Sequence, residues 1–251
     1  MAETIDLNAD VGESDESGHD AALVGWVTSV NVACGVHAGS ATLMRRIVRL
    51  ARRAGVAVGA HPGFPDREGF GRRELEMPGA EVADQVRYQV SALAGIAAAQ
   101  GERLRHVKPH GALYNLAARD RSLAEAVVAA VATVDRSLRI VGPPGSELLA
   151  AAARDGLPMA AEAFADRAYR PDGSLVPRRE PGAVIHDPAT VVGRVLRLVQ
   201  DGEVVAIDGS VVRLEPDTIC LHSDTPDAAE LARLVRRGLA DAGIRAAPCE
   251  P

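Results

Sequence analysis

Aromatic residues and cysteines are scarce in this chain of 251 residues, which has 3 Phe, 3 Tyr, 1 Trp and 3 Cys. Three cysteines do not make a disulfide framework, so we expect a protein of the reducing cytoplasm. No apolar run approaches the roughly 20 residues that span a bilayer. The sequence opens on a strand-like run rather than on a signal segment. We therefore expect a cytoplasmic protein with no membrane association.

The chain also has no excess of positive charge, because its formal net charge is -6 and its pI is about 5.7. No basic stretch is interleaved with aromatic residues, and the Arg-rich segments RRAG and RLVRR fall within amphipathic helical patterns. A nucleic-acid surface needs clustered basic side chains. We therefore expect no nucleic-acid partner and a small molecule as substrate.

The chain does have a regular alternation of short apolar runs and helical patterns, with 47% hydrophobic and 25% charged residues. Apolar runs bounded by Gly or Pro begin near Ile5, Val30, Val56, Arg105 and Thr218, as is typical of buried parallel strands. Roughly seven strands are indicated, joined by right-handed crossovers. Polar residues follow almost every strand, which favours a closed β/α barrel over an open doubly wound sheet. We predict an α/β fold, a single β/α barrel domain over residues 1–251.

Helices are predicted between the strands from caps and apolar spacing. Ser40 is placed to cap a helix that Gly55 ends. Asp187 and Pro188 form a strong helix start, and this helix ends near residue 201. Further helices are expected at 79–100, 122–134, 146–154 and from Thr225 to about residue 243, and VVAID (204–208) is read as a further strand.

The end of the first strand carries Asp6, Asn8 and Asp10, which alternation places on one face, followed by Glu13. Carboxylates on a buried strand need partners. They can serve as a general acid and base, hold a metal, or form a capped turn.

Two histidines, His37 and His61, follow the next two strands. With one Asp of the first strand they resemble a metal site with an open position, but they equally suit proton transfer without a metal. Because the spacing between these ligands is not local, we expect no tightly bound metal. Cys34 is read as a small apolar residue at a strand end rather than as a nucleophile.

Lys108 and His110 lie two residues apart at the end of another strand, and so on the same side. A buried Lys needs an anion, which a substrate carboxylate or phosphoryl group supplies, or else an acid of the first strand. Tyr114 and Asn115, read as part of the same loop, add hydrogen-bonding groups.

Two Gly- and Pro-containing segments, HPGFPDREGFGRR and EAFADRAYRPDGSLVPR, are predicted to be ordered loops over the site. The candidate residues from these segments and from the last strand end are Arg72, Glu162, Asp166, Arg167, His222 and Asp224.

The segments IDLNADVGE, NVACGVHAG, GAHPGFPDREGFGRR, HVKPHGALYN, EAFADRAYRPDGSLVPR and TICLHSD together resemble the LamB/YcsF family, in order and over nearly the whole chain. The family commonly has Asp at the position of Ser40 and Gly at that of Ser223. The resemblance implies a seven-stranded β/α barrel of the glycoside hydrolase and deacetylase superfamily. It also implies the A subunit of a bacterial 5-oxoprolinase, which works with subunits B and C to open 5-oxo-L-proline (pyroglutamate) to L-glutamate.

For such a reaction we expect ATP as a co-substrate with Mg, hydrolysed to ADP and phosphate, and no tightly bound metal. The expected acid and base candidates are Asp10, His37, His61 and His110. Lys108, helped by Arg72, is assigned to an anion clamp for the substrate carboxylate. The expected substrate-binding set is Asp6, Asn8, Arg72, Lys108, Tyr114, Glu162, Asp166, Arg167, His222 and Asp224.

Two alternatives stay open from the sequence. The first is a metal-dependent deacetylase or amidohydrolase that uses Asp10, His37 and His61. The second is a non-catalytic subunit that binds substrate or holds the partner subunits together.

Overall fold

The computed structural model describes residues 4–14, 19–221 and 227–249. In this part of the chain the strands are β1 (Thr4–Val11), β2 (Ser29–Ala33), β3 (Ala57–His61), β4 (Leu104–Val107), β5 (Arg139–Gly142), β6 (Met159–Phe164), β7 (Glu203–Val205), β8 (Val211–Arg213), β9 (Thr218–Leu221) and β10 (Arg245–Ala246). The helices are α1 (His19–Val24), α2 (Ala41–Ala54), α3 (Gly79–Ala98), α4 (Gly111–Arg119), α5 (Arg121–Val134), α6 (Glu147–Asp155), α7 (Pro188–Asp201) and α8 (Ala228–Asp241).

Parallel strands close into a barrel in the order β1, β2, β3, β4, β5, β6 and β9, and the described residues supply these seven strands. Closure comes from β9, which pairs with β6 on one side and with β1 on the other. On the β1 side the register runs from Asp6 opposite Thr218 to Ala9 opposite Leu221. The short strand β10 pairs in parallel with the beginning of β1. The predicted seven-stranded β/α barrel is therefore confirmed.

The barrel strands are buried on both faces, as β1 shows. Leu7, Ala9 and Val11 belong to the apolar core, whereas the alternate side chains of Asn8 and Asp10 contact polar groups of other barrel strands. Because side chains alternate between the two faces of a strand, β1 sends its apolar set towards the helices and its polar set into the barrel. The polar set lines the site described below.

Helix α2 has the boundaries that its caps predict. The Ser40 side chain accepts a hydrogen bond from the backbone N–H of Leu43 at 3.2 Å. At the other end the Gly55 backbone N–H bonds to the carbonyls of Ala51 and Arg52. The cap and the buried stripe fix where the helix begins, immediately after the loop that carries His37.

Replacing Ser40 with Ala is expected to lower the free energy of unfolding by about 1 kcal/mol, because an N–H of the first turn of α2 loses its acceptor. Urea denaturation of the two proteins measures the difference. Ser40→Asp is the matched control, since Asp caps as well as Ser, and it should keep the stability of the natural chain. Equal losses in both variants would contradict the capping explanation.

Two segments differ from their predicted structure. The VVAID segment does contain a strand, but β7 pairs antiparallel with β8 in a separate hairpin, with Val205 opposite Val211, and is not a barrel strand. Tyr114 and Asn115 lie on α4, not in a loop, because Gly111 turns the chain directly into a helix after β4. The predicted start of the last helix at Thr225 lies outside the described residues, within which α8 begins at Ala228.

Among the described helices, none combines the length and the apolar character needed to cross a membrane.

Candidate active site

Polar side chains meet at the carboxyl ends of the barrel strands. They are Asp10 at the end of β1, Glu13 in the turn after it, His37 after β2, His61 at the end of β3, Lys108 and His110 after β4, and Glu162 on β6. All are buried apart from the partly buried Glu13. The structure therefore brings the four acid and base candidates of the sequence into one cluster, together with Lys108 and Glu162.

The ammonium group of Lys108 lies between two carboxylates. Its Nζ is 2.9 Å from Asp10 Oδ1 and 2.8 Å from Glu162 Oε1, and it donates to Cys220 Sγ at 3.1 Å. Burial by itself would lower the pKa of Lys108, but the negative charges of Asp10 and Glu162 outweigh it and hold this pKa well above the ordinary value. Lys108 is therefore a permanent cation whose charge is balanced inside the barrel.

Glu162 is held on both oxygens by neutral donors. Tyr114 donates its hydroxyl to Oε2 at 2.8 Å, and Asn8 donates Nδ2 to Oε1 at 3.0 Å. Burial raises the pKa of Tyr114 well above its ordinary value, and the nearby Glu162 charge raises it further. The phenol is therefore a fixed donor that orients the Glu162 carboxylate towards Lys108.

Asp6 belongs to the layer below, towards the amino-terminal end of the barrel. It accepts hydroxyl hydrogen bonds from Thr28 at 2.6 Å, Ser29 at 2.8 Å and Thr218 at 2.6 Å. Burial raises the pKa of Asp6 in spite of these bonds. Asn8 connects the two layers, because its Nδ2 also donates to Thr218 Oγ1 at 2.7 Å.

Asn31 on β2 is a polar member of the cluster that the sequence reading missed. Its Nδ2 donates to Asn8 Oδ1 at 2.7 Å and to Asp10 Oδ1 at 2.9 Å, and its Oδ1 lies 2.7 Å from His106 Nε2. Burial lowers the pKa of His106 to about 3, so this ring is neutral and donates. The sequence does contain a pattern that identifies this residue, since Asn31 alternates with valines in SVNVA as Asn8 does with apolar residues in β1.

The rings of His61 and His110 are oriented by backbone carbonyls. His61 Nδ1 is 2.7 Å from the Lys108 carbonyl oxygen, and His110 Nε2 is 2.8 Å from that of Phe70. The two remaining nitrogens, His61 Nε2 and His110 Nδ1, face each other at 3.0 Å. Burial alone would lower the pKa of His61, but the charge of Asp10, whose Oδ2 is 3.4 Å from His61 Nε2, raises it overall. Burial lowers the pKa of His110.

His37 stacks on His110, with the two rings nearly parallel and their centroids 3.9 Å apart. The ring of His37 is 1% exposed, and neither of its nitrogens has a hydrogen-bond partner among the described residues. Its Nε2 is 3.8 Å from Glu13 Oε1. Burial lowers the pKa of His37 to about 4, so the ring is neutral at pH 7.

The loop after β3 closes one side of the site. Asp66 is buried and paired with Arg73, and the Phe70 carbonyl of this loop holds His110. Arg72 is exposed, with its guanidinium 4.8 Å from the centre of the Phe70 ring. Arg72 therefore lies at the mouth of the site rather than inside it.

Arg167 and Asp166 are buried in the second loop. Arg167 donates to the carbonyls of Val176 at 2.6 Å and Ala183 at 3.3 Å, so it holds its own loop together. The Asp166 carbonyl accepts from the backbone N–H of Ile185 at 2.8 Å. Substrate roles for both residues stay predictions.

Two further candidate residues, His222 and Asp224, lie outside the described residues. Burial raises the pKa of the Cys34 thiol to about 12, in keeping with the reading of this residue as a small apolar side chain and not a nucleophile.

The fold and the cluster define a β/α barrel with a buried site of carboxylates, imidazoles and one ammonium group at the carboxyl ends of its strands, which is where barrels of this kind carry their active sites. The chain belongs to the LamB/YcsF family, whose model matches residues 5–251.

Similar proteins extend over nearly the full chain. The A subunit of 5-oxoprolinase from Methylococcus capsulatus is 53% identical over 247 residues, which cover 97% of this chain and 95% of that protein. The crystal structure of the lactam utilization protein from Thermus thermophilus superposes with a TM-score of 0.91 at 47% identity, covering 97% of this chain and 99% of that one. The family 4 carbohydrate esterase from Streptomyces lividans, at 14% identity and a TM-score of 0.55 over 99% of this chain and 94% of that one, shares the fold.

Proposed function

We propose that this chain is the A subunit of a cytoplasmic, ATP-dependent 5-oxoprolinase, which works with subunits B and C to open 5-oxo-L-proline to L-glutamate. The observation that carries the proposal is the full-length similarity to a protein named as the A subunit of 5-oxoprolinase and to one named lactam utilization protein. The buried acid, imidazole and lysine cluster at the barrel mouth is the kind of site that amide chemistry uses.

Opening the five-membered lactam requires a better electrophile than an amide carbonyl. In the proposed reaction the lactam oxygen attacks the γ-phosphorus of ATP, supplied with Mg, and ADP leaves. Water then adds to the activated carbon, and the C–N bond breaks as the nitrogen takes up a proton, which leaves an acyl phosphate at the γ-carboxyl group. A second water hydrolyses this acyl phosphate, so that L-glutamate and phosphate are released. The protein must supply a base for the water, an acid for the nitrogen and an anion clamp.

Asp10 is the residue whose position best suits the base. Its carboxylate is fixed by Lys108 and Asn31 through Oδ1, while Oδ2 faces His61. Its side chain is 10% exposed. The acid for the nitrogen comes from the imidazoles at the same mouth, His37, His61 or His110.

The geometry favours Arg72 over Lys108 for the anion clamp. Lys108 already has Asp10 and Glu162 as counter-ions, so a third carboxylate gains little from it. In this proposal Lys108 positions Asp10, and Arg72 at the mouth receives the substrate carboxylate.

Asp10→Asn is expected to lower ATP-coupled glutamate formation by at least about 100-fold in the complex with subunits B and C, because Asn cannot accept the proton of water. Glutamate release from 5-oxoproline, with and without ATP, is the measurement. Asp172→Asn, in an exposed turn, is the control and should keep the natural rate.

The outcomes separate the role of Asp10 from the function of the protein. A near-natural rate for Asp10→Asn would remove Asp10 as the base. No ATP-dependent glutamate from the complex of the natural chain would overturn the proposed function. Calorimetry with 5-oxoproline tests whether the chain binds the substrate. The alternative of a non-catalytic scaffold requires that every variant of the cluster form glutamate at the natural rate.

A further inference from the structure

Two ring nitrogens in the site face each other in a way that neutral histidines do not explain. Carbonyl oxygens only accept hydrogen bonds, so His61 Nδ1 and His110 Nε2 must carry the protons that bond to the Lys108 and Phe70 carbonyls. In the neutral rings His61 Nε2 and His110 Nδ1 then both present lone pairs, at a separation of 3.0 Å. Two lone pairs at this distance require a cation between or beside them.

Glu13 brings a carboxylate oxygen to the same point. Its Oε1 is 3.3 Å from His110 Nδ1 and 3.9 Å from His61 Nε2. This oxygen is shielded from solvent, and no described residue forms a hydrogen bond with it. A buried carboxylate oxygen without a hydrogen bond is costly unless a cation accepts its charge.

The three distances match the spacing of ligands around one metal ion. The separations of the three donor atoms are 3.0, 3.3 and 3.9 Å. Ligand atoms at bond lengths of about 2.1 Å in a tetrahedral site lie about 3.4 Å apart. Both imidazoles are already oriented through their other nitrogen by backbone carbonyls, as is usual for metal-ligating histidines.

The charges around this point also call for a cation. Among its described members, the cluster has three carboxylates, those of Asp10, Glu13 and Glu162, and one ammonium group, that of Lys108, which contacts Asp10 and Glu162. A single shared proton between His61 and His110 leaves one formal negative charge, whereas a divalent ion balances the cluster. Asp10 Oδ2, 3.4 Å from His61 Nε2, lies beside the same point.

We propose that Glu13, His61 and His110 bind a divalent transition-metal ion, with Asp10 and His37, whose ring nitrogens have no hydrogen-bond partner among the described residues, beside it. Two imidazole nitrogens and a carboxylate oxygen suit Zn²⁺ and the neighbouring divalent ions better than Mg²⁺ or Ca²⁺. The site departs from the sequence-based expectation of no tightly bound metal, and its ligands differ from the Asp10, His37 and His61 set. It does not depend on the proposed function, since it concerns binding by the chain alone. With the ion bound, both nitrogens of His61 and His110 are occupied, and His37 remains as the imidazole candidate for the acid of the proposed reaction.

The test is metal binding by the full chain, without a polyhistidine tag and without ATP, substrate or partner subunits. The protein is treated with EDTA, dialysed and titrated with Zn²⁺ in a calorimeter, and bound zinc is counted after gel filtration. We expect one ion per chain. A parallel titration with Co²⁺ should give the visible absorption of low-symmetry, nitrogen- and oxygen-bound cobalt.

Glu13→Gln and His110→Asn should each weaken Zn²⁺ binding by at least about 10-fold, while His186→Asn, an exposed histidine outside the cluster, should leave it unchanged. Circular dichroism confirms that each variant is folded. Glu13 is the most informative position, because Gln has the same shape and no described residue forms a hydrogen bond with Oε1. Less than one-tenth of an ion per chain, or unchanged binding by Glu13→Gln, would overturn the proposal and favour a shared proton.

Discussion

Lys108→Met is expected to lower the free energy of unfolding by about 3–5 kcal/mol, among the largest effects of any single substitution in the barrel. The change removes the ammonium group that lies within 2.9 Å of Asp10 and 2.8 Å of Glu162. Two buried carboxylates are then left without their counter-ion. Met has nearly the same length and flexibility, so packing is largely kept. Urea denaturation followed by circular dichroism measures the loss.

A double variant separates the charge effect from packing. Lys108→Met combined with Glu162→Gln should lose less than the sum of the two single changes, with a coupling energy of at least about 1 kcal/mol. Arg121→Met breaks an exposed ion pair with Glu125 at 2.9 Å, and should leave the denaturation midpoint unchanged because exposed pairs contribute little. Strict additivity at Lys108 and Glu162 would show that the loss comes from packing instead.

The fold was predictable because its determinants are local. Each barrel strand is a short apolar run bounded by Gly or Pro. The ends of a helix such as α2 are recognisable from its capping residues, Ser40 and Gly55. The closed barrel followed from the polar residues after almost every strand. What local pattern did not reveal was the partner of each strand, so the VVAID segment could not be told apart from a barrel strand before its antiparallel pairing with β8 was known.

The composition of the site was largely predictable, but its internal pairing was not. Asp10, His61 and Lys108 were recognisable because charged groups at the ends of buried strands are costly without partners. Which anion balances Lys108 depends on the closure of the barrel, which brings Glu162 of β6 to it across 54 residues of sequence. The orientation of the imidazoles depends on carbonyls of other segments, such as that of Phe70. Periodicity carries no information about these contacts.

Gly39→Ala is expected to lower the free energy of unfolding by about 3 kcal/mol, because two costs add at this position. Gly39 has a φ of +77°, in the left-handed region where a side chain is strained. A Cβ on Gly39 lies only 2.6 Å from the Gly12 carbonyl oxygen and 3.3 Å from that of Ala33. Both neighbours are backbone atoms and cannot rotate away. The loop that carries His37 must therefore move away from the turn that carries Glu13.

Gly55→Ala is the matched comparison, because Gly55 has a similar φ of +69° but open space where the Cβ goes. It should cost about 1 kcal/mol, the strain of the left-handed conformation alone. The difference between the two variants, measured by urea denaturation, is then the cost of separating the two loops. Equal decreases in the free energy of unfolding would show that the backbone at Gly39 and Gly12 can move apart without an energetic cost. A larger loss for Gly39→Ala would show instead that close backbone contact, and not only side-chain pairing, holds His37 against Glu13.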